Sequence, residues 1–288
     1  MLKDRLKSGS ILLITAILAF FWSGAPGIIV FALLGAFMLL NGLKEFFKFS
    51  EAIGIKGFPI LTTVYVVALQ GVAFTTLNGL SFMFKAPALI TLVTITFIIH
   101  GFIEVFRSED MKTGLHNLAI SIFGYFYIGW TLSFAVQIFC LNGAAHASRM
   151  LLLFMVLVTK SSDIGAYFVG STLAKRPQGN KKIFPKLSPK KSWEGFFGGM
   201  ATSAVVAVLL VLFLGNDLKA VRIISAIALA AVFTTVGFIG DIAESSFKRA
   251  GKLDDSGNIL PGLGGAMDVL DSLIPVAPIF YAYLVLCS

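Results

Sequence analysis

Residues 220–249 read AVRIISAIALAAVFTTVGFIGDIAESSFKR. The stretch opens as an apolar run of the length a helix needs to cross a hydrocarbon core, about 20 residues for about 30 Å. It then turns charged. Asp241, Glu244, Ser245 and Lys248 stand at i, i+3, i+4 and i+7, so a helix continued this far puts them on one face. Ionised groups at membrane depth cost roughly 2.5 to 3.5 kcal/mol each on insertion scales, so they are rare there and usually mark a site. This segment predicts a membrane helix that carries chemistry at one end.

Outward from it, the pattern repeats. The chain is 57% hydrophobic and only 13% charged over 288 residues, and its mean hydropathy is +0.89. A water-soluble domain of this length has no need of such values. Apolar segments fall at roughly 9–24, 26–43, 58–80, 87–106, 115–139, 149–173, 195–215, 220–243 and 267–287. The expected fold is all-α, a polytopic integral membrane protein of about nine transmembrane helices. The first run leads at once into others of similar hydropathy, so it does not read as a cleaved leader. It is short, and with Gly24, Pro26 and Gly27 leaving almost no loop it reads as a span or as a re-entrant or tilted hairpin with the second. Cys140 and Cys287 cannot make a disulfide framework.

Nine crossings sort the Lys and Arg residues sharply. Eighteen fall on the face that holds the N-terminus, four (Lys85, Arg149, Lys219 and Arg222) fall opposite, and Lys160 lies within a span. The positive-inside rule then predicts a cytoplasmic N-terminus, an external C-terminus, and a polar cavity open to the cytoplasm around Asp241 to Asp271. Seven of the eighteen lie between Lys175 and Lys191, with no acidic neighbour before Glu194. Such a loop attracts anionic lipid headgroups and polyphosphates. No feature calls for a nucleic-acid partner.

Asp268 and Asp271 stand one turn apart at the start of the last segment. The connection 250–266 is short enough to bring them beside Asp241 and Glu244. Four carboxylates drawn together repel unless a cation sits among them. Oxygen-only ligands suit Mg²⁺ better than Zn²⁺, for which no Cys or His pair is at hand. Gly257, Pro261, Gly262, Gly264 and Gly265 occupy the same connection, where glycines let backbone N–H groups approach a phosphate. In the sixth segment Lys160 and Asp163 are one turn apart, a structural pair or one that faces the polar cavity. His100 and Glu104 in the fourth read as a packing pair. Ser192 before Gly195, Gly198 and Gly199 reads as a capped helix start with close helix packing behind it, and Trp193 suits the interfacial aromatic belt.

At two of these stretches the chain resembles the phosphatidate cytidylyltransferases, or CDP-diacylglycerol synthases. Asp163 with Ala166, Tyr167 and Gly170, followed by Ser188-Pro189-Lys190-Lys191-Ser192 and Glu194-Gly195, is similar to the upstream motif of that family. Ser245, Lys248, Arg249, Asp255, Gly257, Pro261, Gly264, Gly265, Asp268 and Asp271 resemble its C-terminal signature. The resemblance covers about the last 130 residues. Asp254, Leu263 and Val269 stand where the family usually has Lys, His and Arg, departures that bear on lipid preference and base selectivity and leave the reaction class.

What the resemblance implies is transfer of CMP from CTP to phosphatidate, giving CDP-diacylglycerol and pyrophosphate in phospholipid biosynthesis. It implies N-terminal transmembrane helices over 1–145 and a catalytic region over 146–288, with a basic cytoplasmic loop at 174–194 and the Gly-rich loop at 250–266. Asp241 and Asp268 become the principal Mg²⁺ ligands, with Asp271 and Glu244 as further ligands. Lys248 and Arg249 hold phosphate oxygens, helped by Ser245. Asp163, Lys190, Lys191, Ser192, Gly264 and Gly265 line the substrate. A second, monovalent cation, a homodimer, membrane lipids as partners and a bacterial plasma membrane are compatible with this reading. A CTP-dependent polyprenol or phytol kinase and an ion-coupled transporter are the competing classes.

Overall fold

Prolines and polar caps start several of the helices. Pro26 and Pro59 sit in the first turns of α2 (Ala25–Ala52) and α3 (Pro59–Phe74), where a missing N–H costs nothing. Asp110 caps α5 (Met111–Gly124) by accepting from the N–H groups of Lys112 at 3.2 Å and Thr113 at 2.9 Å. The Thr113 hydroxyl and these N–H groups hold its carboxyl below the usual carboxylate range. Ser192 caps α8 (Trp193–Phe213), accepting from Gly195 N–H at 3.2 Å.

The computed structural model describes residues 2–75, 86–176, 179–185, 187–253, 256–257, 259–261 and 264–287. Lys85, Lys186, Asp254, Asp255, Gly262 and Leu263 lie outside the described residues. In chain order the remaining elements are α1 (Leu2–Phe21), α4 (Ala86–Arg107), a π-helical turn (Tyr125–Trp130), α6 (Thr131–Ala144) and α7 (His146–Ala174). After them come β1 (Lys182–Phe184), β2 (Ser188–Ser192), α9 (Ile223–Ala250), α10 (Ala266–Leu270) and α11 (Leu273–Cys287).

Seven helical stretches among the described residues are long and apolar enough to cross a membrane: Ala25–Ala52, Pro87–Arg107, Met111–Ala144, His146–Ala174, Trp193–Phe213, Ile223–Ala250 and Ala266–Cys287. Of the nine predicted spans, these match seven. The other two fall on Gly9–Phe21 and Pro59–Phe74, which are apolar but shorter. Ile224, Phe213 and Leu286 are each more than 80% exposed, which in a helix this apolar is a lipid-facing surface. The chain is an all-α polytopic membrane protein.

Its residues pack as two compact units, 1–146 with 247–270, and 147–246 with 271–288. In the first, aromatic rings fill the helix interfaces. Phe97 stacks on Tyr125 at 4.5 Å, and Phe46 meets Phe123 at 5.8 Å and Phe247 at 6.2 Å. Gln70 donates to the Gly129 carbonyl in the π-helical turn at 2.8 Å. Residues 247–270, which the resemblance assigns to the C-terminal half, belong to this unit.

In the second unit, Phe233 meets Phe280 edge-on at 5.3 Å, and Ser203 and Thr234 share a buried hydrogen bond of 2.9 Å between α8 and α9. Helices α7 and α8 approach through small residues. A Cβ at Gly199 would lie 2.6 Å from the Ser162 carbonyl oxygen, and one at Gly195 would lie 2.9 Å from that of Ala166. This close contact at Gly195 and Gly199 follows the packing of membrane helices, where small side chains let backbones meet.

Candidate active site

Asp241 and Glu244 lie one turn apart on α9, and Asp271 lies two residues before α11 in the same unit. Among the described residues these three carboxylates form a group whose ligand atoms all lie within 4.8 Å of one another. Gly240 makes the approach possible, because a Cβ there would run into the Asp271 carbonyl oxygen. Gly237 does the same one turn earlier, where a Cβ would stand 3.3 Å from Ser272 Cβ. Glu244 and Asp271 are buried at 2% and 6% exposure, while Asp241 is half-buried. Three acids this close and this buried need positive charge among them.

Two ammonium groups supply part of it. Lys191 Nζ, at the end of β2, pairs with Asp241 Oδ2 and lies 4.6 Å from the centre of the Phe238 ring. Lys160 on α7 is the other. It donates to Ser272 Oγ at 2.8 Å and to Asp163 Oδ2 at 3.3 Å, and lies 3.7 Å from Asp271 Oδ1. Ser272 Oγ in turn donates to Asp163 Oδ2 at 3.0 Å. Asp163 is thus tied to the acid cluster through Lys160 and Ser272. Lys160 and Lys191 thus offset part of the charge of Asp163, Asp241 and Asp271, and a divalent cation among the acids would offset more. All the candidate ligand atoms are carboxylate oxygens, so the donor set fits Mg²⁺.

The basic loop folds into a short antiparallel hairpin in which Lys182 faces Ser192. Asn180 Nδ2 donates to the Gly170 carbonyl at 3.0 Å, and Glu194 accepts from Lys181 N–H at 3.1 Å, so both ends of the loop are fixed. Lys190 is exposed, Lys191 half-buried and Ser192 buried as the helix cap. Ser245 is half-buried on α9.

Lys248, Arg249, Gly264, Gly265 and Asp268 belong to the first unit. Asp268 Oδ1 accepts from Lys248 Nζ. Its Oδ2 accepts from the Ser256 hydroxyl and, at 2.6 Å, from Gly265 N–H. Gly264 takes φ +103°, where a Cβ would meet the Asp268 carboxylate. Arg249 is exposed and Val269 half-buried. Of the four acids expected together, the structure gathers Asp241, Glu244 and Asp271, and engages Asp268 with Lys248 and the Gly-rich loop.

Sequence reasoning missed Glu45. This residue of α2 is 3% exposed, and its two carboxylate oxygens accept from Ala266 N–H at 3.0 Å and Met267 N–H at 2.8 Å. The available signal was its spacing from Gly42, Phe46 and Phe49, which share its buried helix face. His100 lies 3.7 Å from Glu104, which also pairs with Arg107 at 2.9 Å.

Residues 3–287 match the model of a family described as the cytidylyltransferase family. A phosphatidate cytidylyltransferase of Bacillus subtilis is 32% identical over 265 residues, covering 91% of this chain and 80% of that protein. Those of Haemophilus influenzae and Pseudomonas aeruginosa are 40% identical over 131 residues and 42% over 138. These two matches cover 45% and 48% of this chain and 44% and 48% of the respective relatives. The aligned stretch thus spans about half the length of those two curated relatives.

Proposed function

This chain belongs to the cytidylyltransferase family, and we propose that it transfers CMP from CTP to phosphatidate, giving CDP-diacylglycerol and pyrophosphate. An oxygen of the phosphatidate phosphate attacks the α-phosphorus of CTP. The bond from that phosphorus to the oxygen bridging to the β-phosphate breaks, and its electrons leave with pyrophosphate. A phosphate monoester is largely ionised near neutral pH, its second pKa being about 6, so no strong general base is needed. The difficulty is alignment of two anions that repel.

The observation that carries this reading is the group Asp241, Glu244 and Asp271, whose ligand atoms lie within 4.8 Å of one another in a helical membrane unit that also holds the basic hairpin. These three acids would hold one Mg²⁺, which when bound supplies positive charge to phosphate oxygens. Lys160 keeps Asp163 and Asp271 in place. Lys191 steadies Asp241, and exposed Lys190 meets the triphosphate. Lys248, which pairs with Asp268, and Arg249 would bind phosphate oxygens. Ser192 acts by capping α8 and fixing the direction of Lys191.

The distribution of Lys and Arg supports a cytoplasmic N-terminus and an active site on the cytoplasmic side of a bacterial plasma membrane, with nine crossings and an external C-terminus. There, acyl chains stay in the bilayer while CTP arrives from water through a polar cavity. A homodimer and a monovalent cation as second ion complete the proposal. The test is purified protein with phosphatidate, Mg²⁺ and CTP labelled at the α- or γ-phosphorus. Label from the α position enters lipid and label from the γ position enters pyrophosphate. Transfer of γ label into lipid would indicate a kinase, and absence of turnover with either would remove the enzyme reading.

A further inference from the structure

We infer that Glu45 is a positioning residue for the Gly-rich loop, acting through Asp268 on Lys248; this rests on the transferase reading above. Three consecutive N–H groups, where the loop enters α10, are held by two carboxylates. Gly265 N–H donates to Asp268 at 2.6 Å, Ala266 N–H to Glu45 at 3.0 Å and Met267 N–H to Glu45 at 2.8 Å. Glu45 therefore fixes the two peptide units just before Asp268, the residue that accepts from Lys248.

The glycines around it are shaped to this carboxylate. A Cβ at Gly257 would collide with Glu45 Oε1, and one at Gly265 with Glu45 Oε2 and the Ser256 hydroxyl. Ser256 is itself fully buried and donates to Asp268. Two glycines of the loop thus make room for the carboxylate that α2 inserts. A side chain that only filled space on this face would be apolar, as Leu43, Phe46 and Phe49 are beside it. A buried charge is costly unless hydrogen-bonded, and here its partners are the first backbone donors of α10, at the end of the loop.

Glu45→Gln keeps the volume and replaces one acceptor oxygen with an NH₂ donor, so one loop N–H faces another donor. The experiment is hydrogen–deuterium exchange and CMP-transfer kinetics on the full-length variant in detergent. Exchange at Gly265, Ala266 and Met267 rises at least tenfold while the rest of α2 stays protected. The kcat falls at least tenfold, and the Mg²⁺ concentration for half-maximal rate stays within twofold of the original chain. Exchange at those three amides equal to the original chain, or faster exchange spread through all of α2, would overturn the inference. Glu45→Asp keeps both acceptors on a shorter stem and gives intermediate exchange and rate, so if Glu45→Gln fails to insert, an Asp variant matching the original chain in both would overturn it as well. An original chain that turns over no CTP defeats the transferase reading instead, while the exchange result still decides the role of Glu45 in the loop.

Discussion

Gly240 and the backbone of Asp271 touch so closely that a single methyl group at 240 would overlap the Asp271 carbonyl oxygen. The neighbouring residue on α9 is Asp241, so this contact between α9 and the start of α11 sets the spacing of two acids. The cluster depends on what position 240 lacks.

Gly240→Ala should therefore open the acid cluster without removing an acid. We expect divalent-ion affinity to fall at least tenfold, read by Mn²⁺ binding. Helix propensity alone would favour Ala over Gly by about 1 kcal/mol, so unchanged or tighter binding would show that the contact does not set the site.

Asp241→Asn and Asp271→Asn each remove one carboxylate while keeping the shape. CMP transfer should fall at least a hundredfold in both, with normal membrane insertion and an unchanged elution profile in detergent. Glu244→Gln, whose carboxylate is buried, should do the same. Near-normal turnover in any of the three would remove that residue from the metal proposal.

Lys160→Met takes one cation away from the cluster and leaves Asp163 and Asp271 without its ammonium. Divalent-ion affinity should rise about tenfold, the equivalent of ~1.4 kcal/mol, because the remaining acids are less neutralised. Turnover should fall nonetheless, as Asp163 and Asp271 lose their anchor. Weaker ion binding would mean that Lys160 holds the cluster in shape more than it neutralises it.

Gly199→Val puts a branched side chain where a single Cβ already stands 2.6 Å from the Ser162 carbonyl. Helices α7 and α8 must separate, and overpacking of this kind typically costs 1 to 3 kcal/mol. Thermal unfolding in detergent should shift down accordingly. The same substitution at Gly35, where a Cβ meets nothing within 4 Å, should leave the midpoint nearly unchanged.

The membrane helices were legible because hydropathy over about 20 residues is a strong, local signal. Seven of the nine segments are helices of spanning length, and the charged end of α9 and the acids Asp268 and Asp271 ahead of α11 stood out against that background. The spacing Asp241 to Glu244 placed both on one helix face, and Asp271 could be drawn to them by the short connection. What could not be read was which way each acid of the last segment turns. Asp268 and Asp271 look equivalent at i and i+3, yet Gly264 at φ +103° folds the loop back so that Asp268 meets Lys248 and Gly265 N–H. Glu45 was hidden for a different reason. It lies 221 residues from Ala266 in the chain, and beside Lys44 and Lys48 it reads as part of an ordinary charged helix end. Lys191 shows a third limit, since its sequence neighbours suggest a solvated cation while the hairpin turns it onto Asp241 and Phe238.

Mn²⁺ titration followed by electron paramagnetic resonance, on the purified chain and on Asp271→Asn, tests the central claim most directly. One tightly held Mn²⁺ per chain, displaced by Mg²⁺ and lost in the variant, is the result expected from the cluster of Asp241, Glu244 and Asp271. Binding that is the same in both proteins would contradict it.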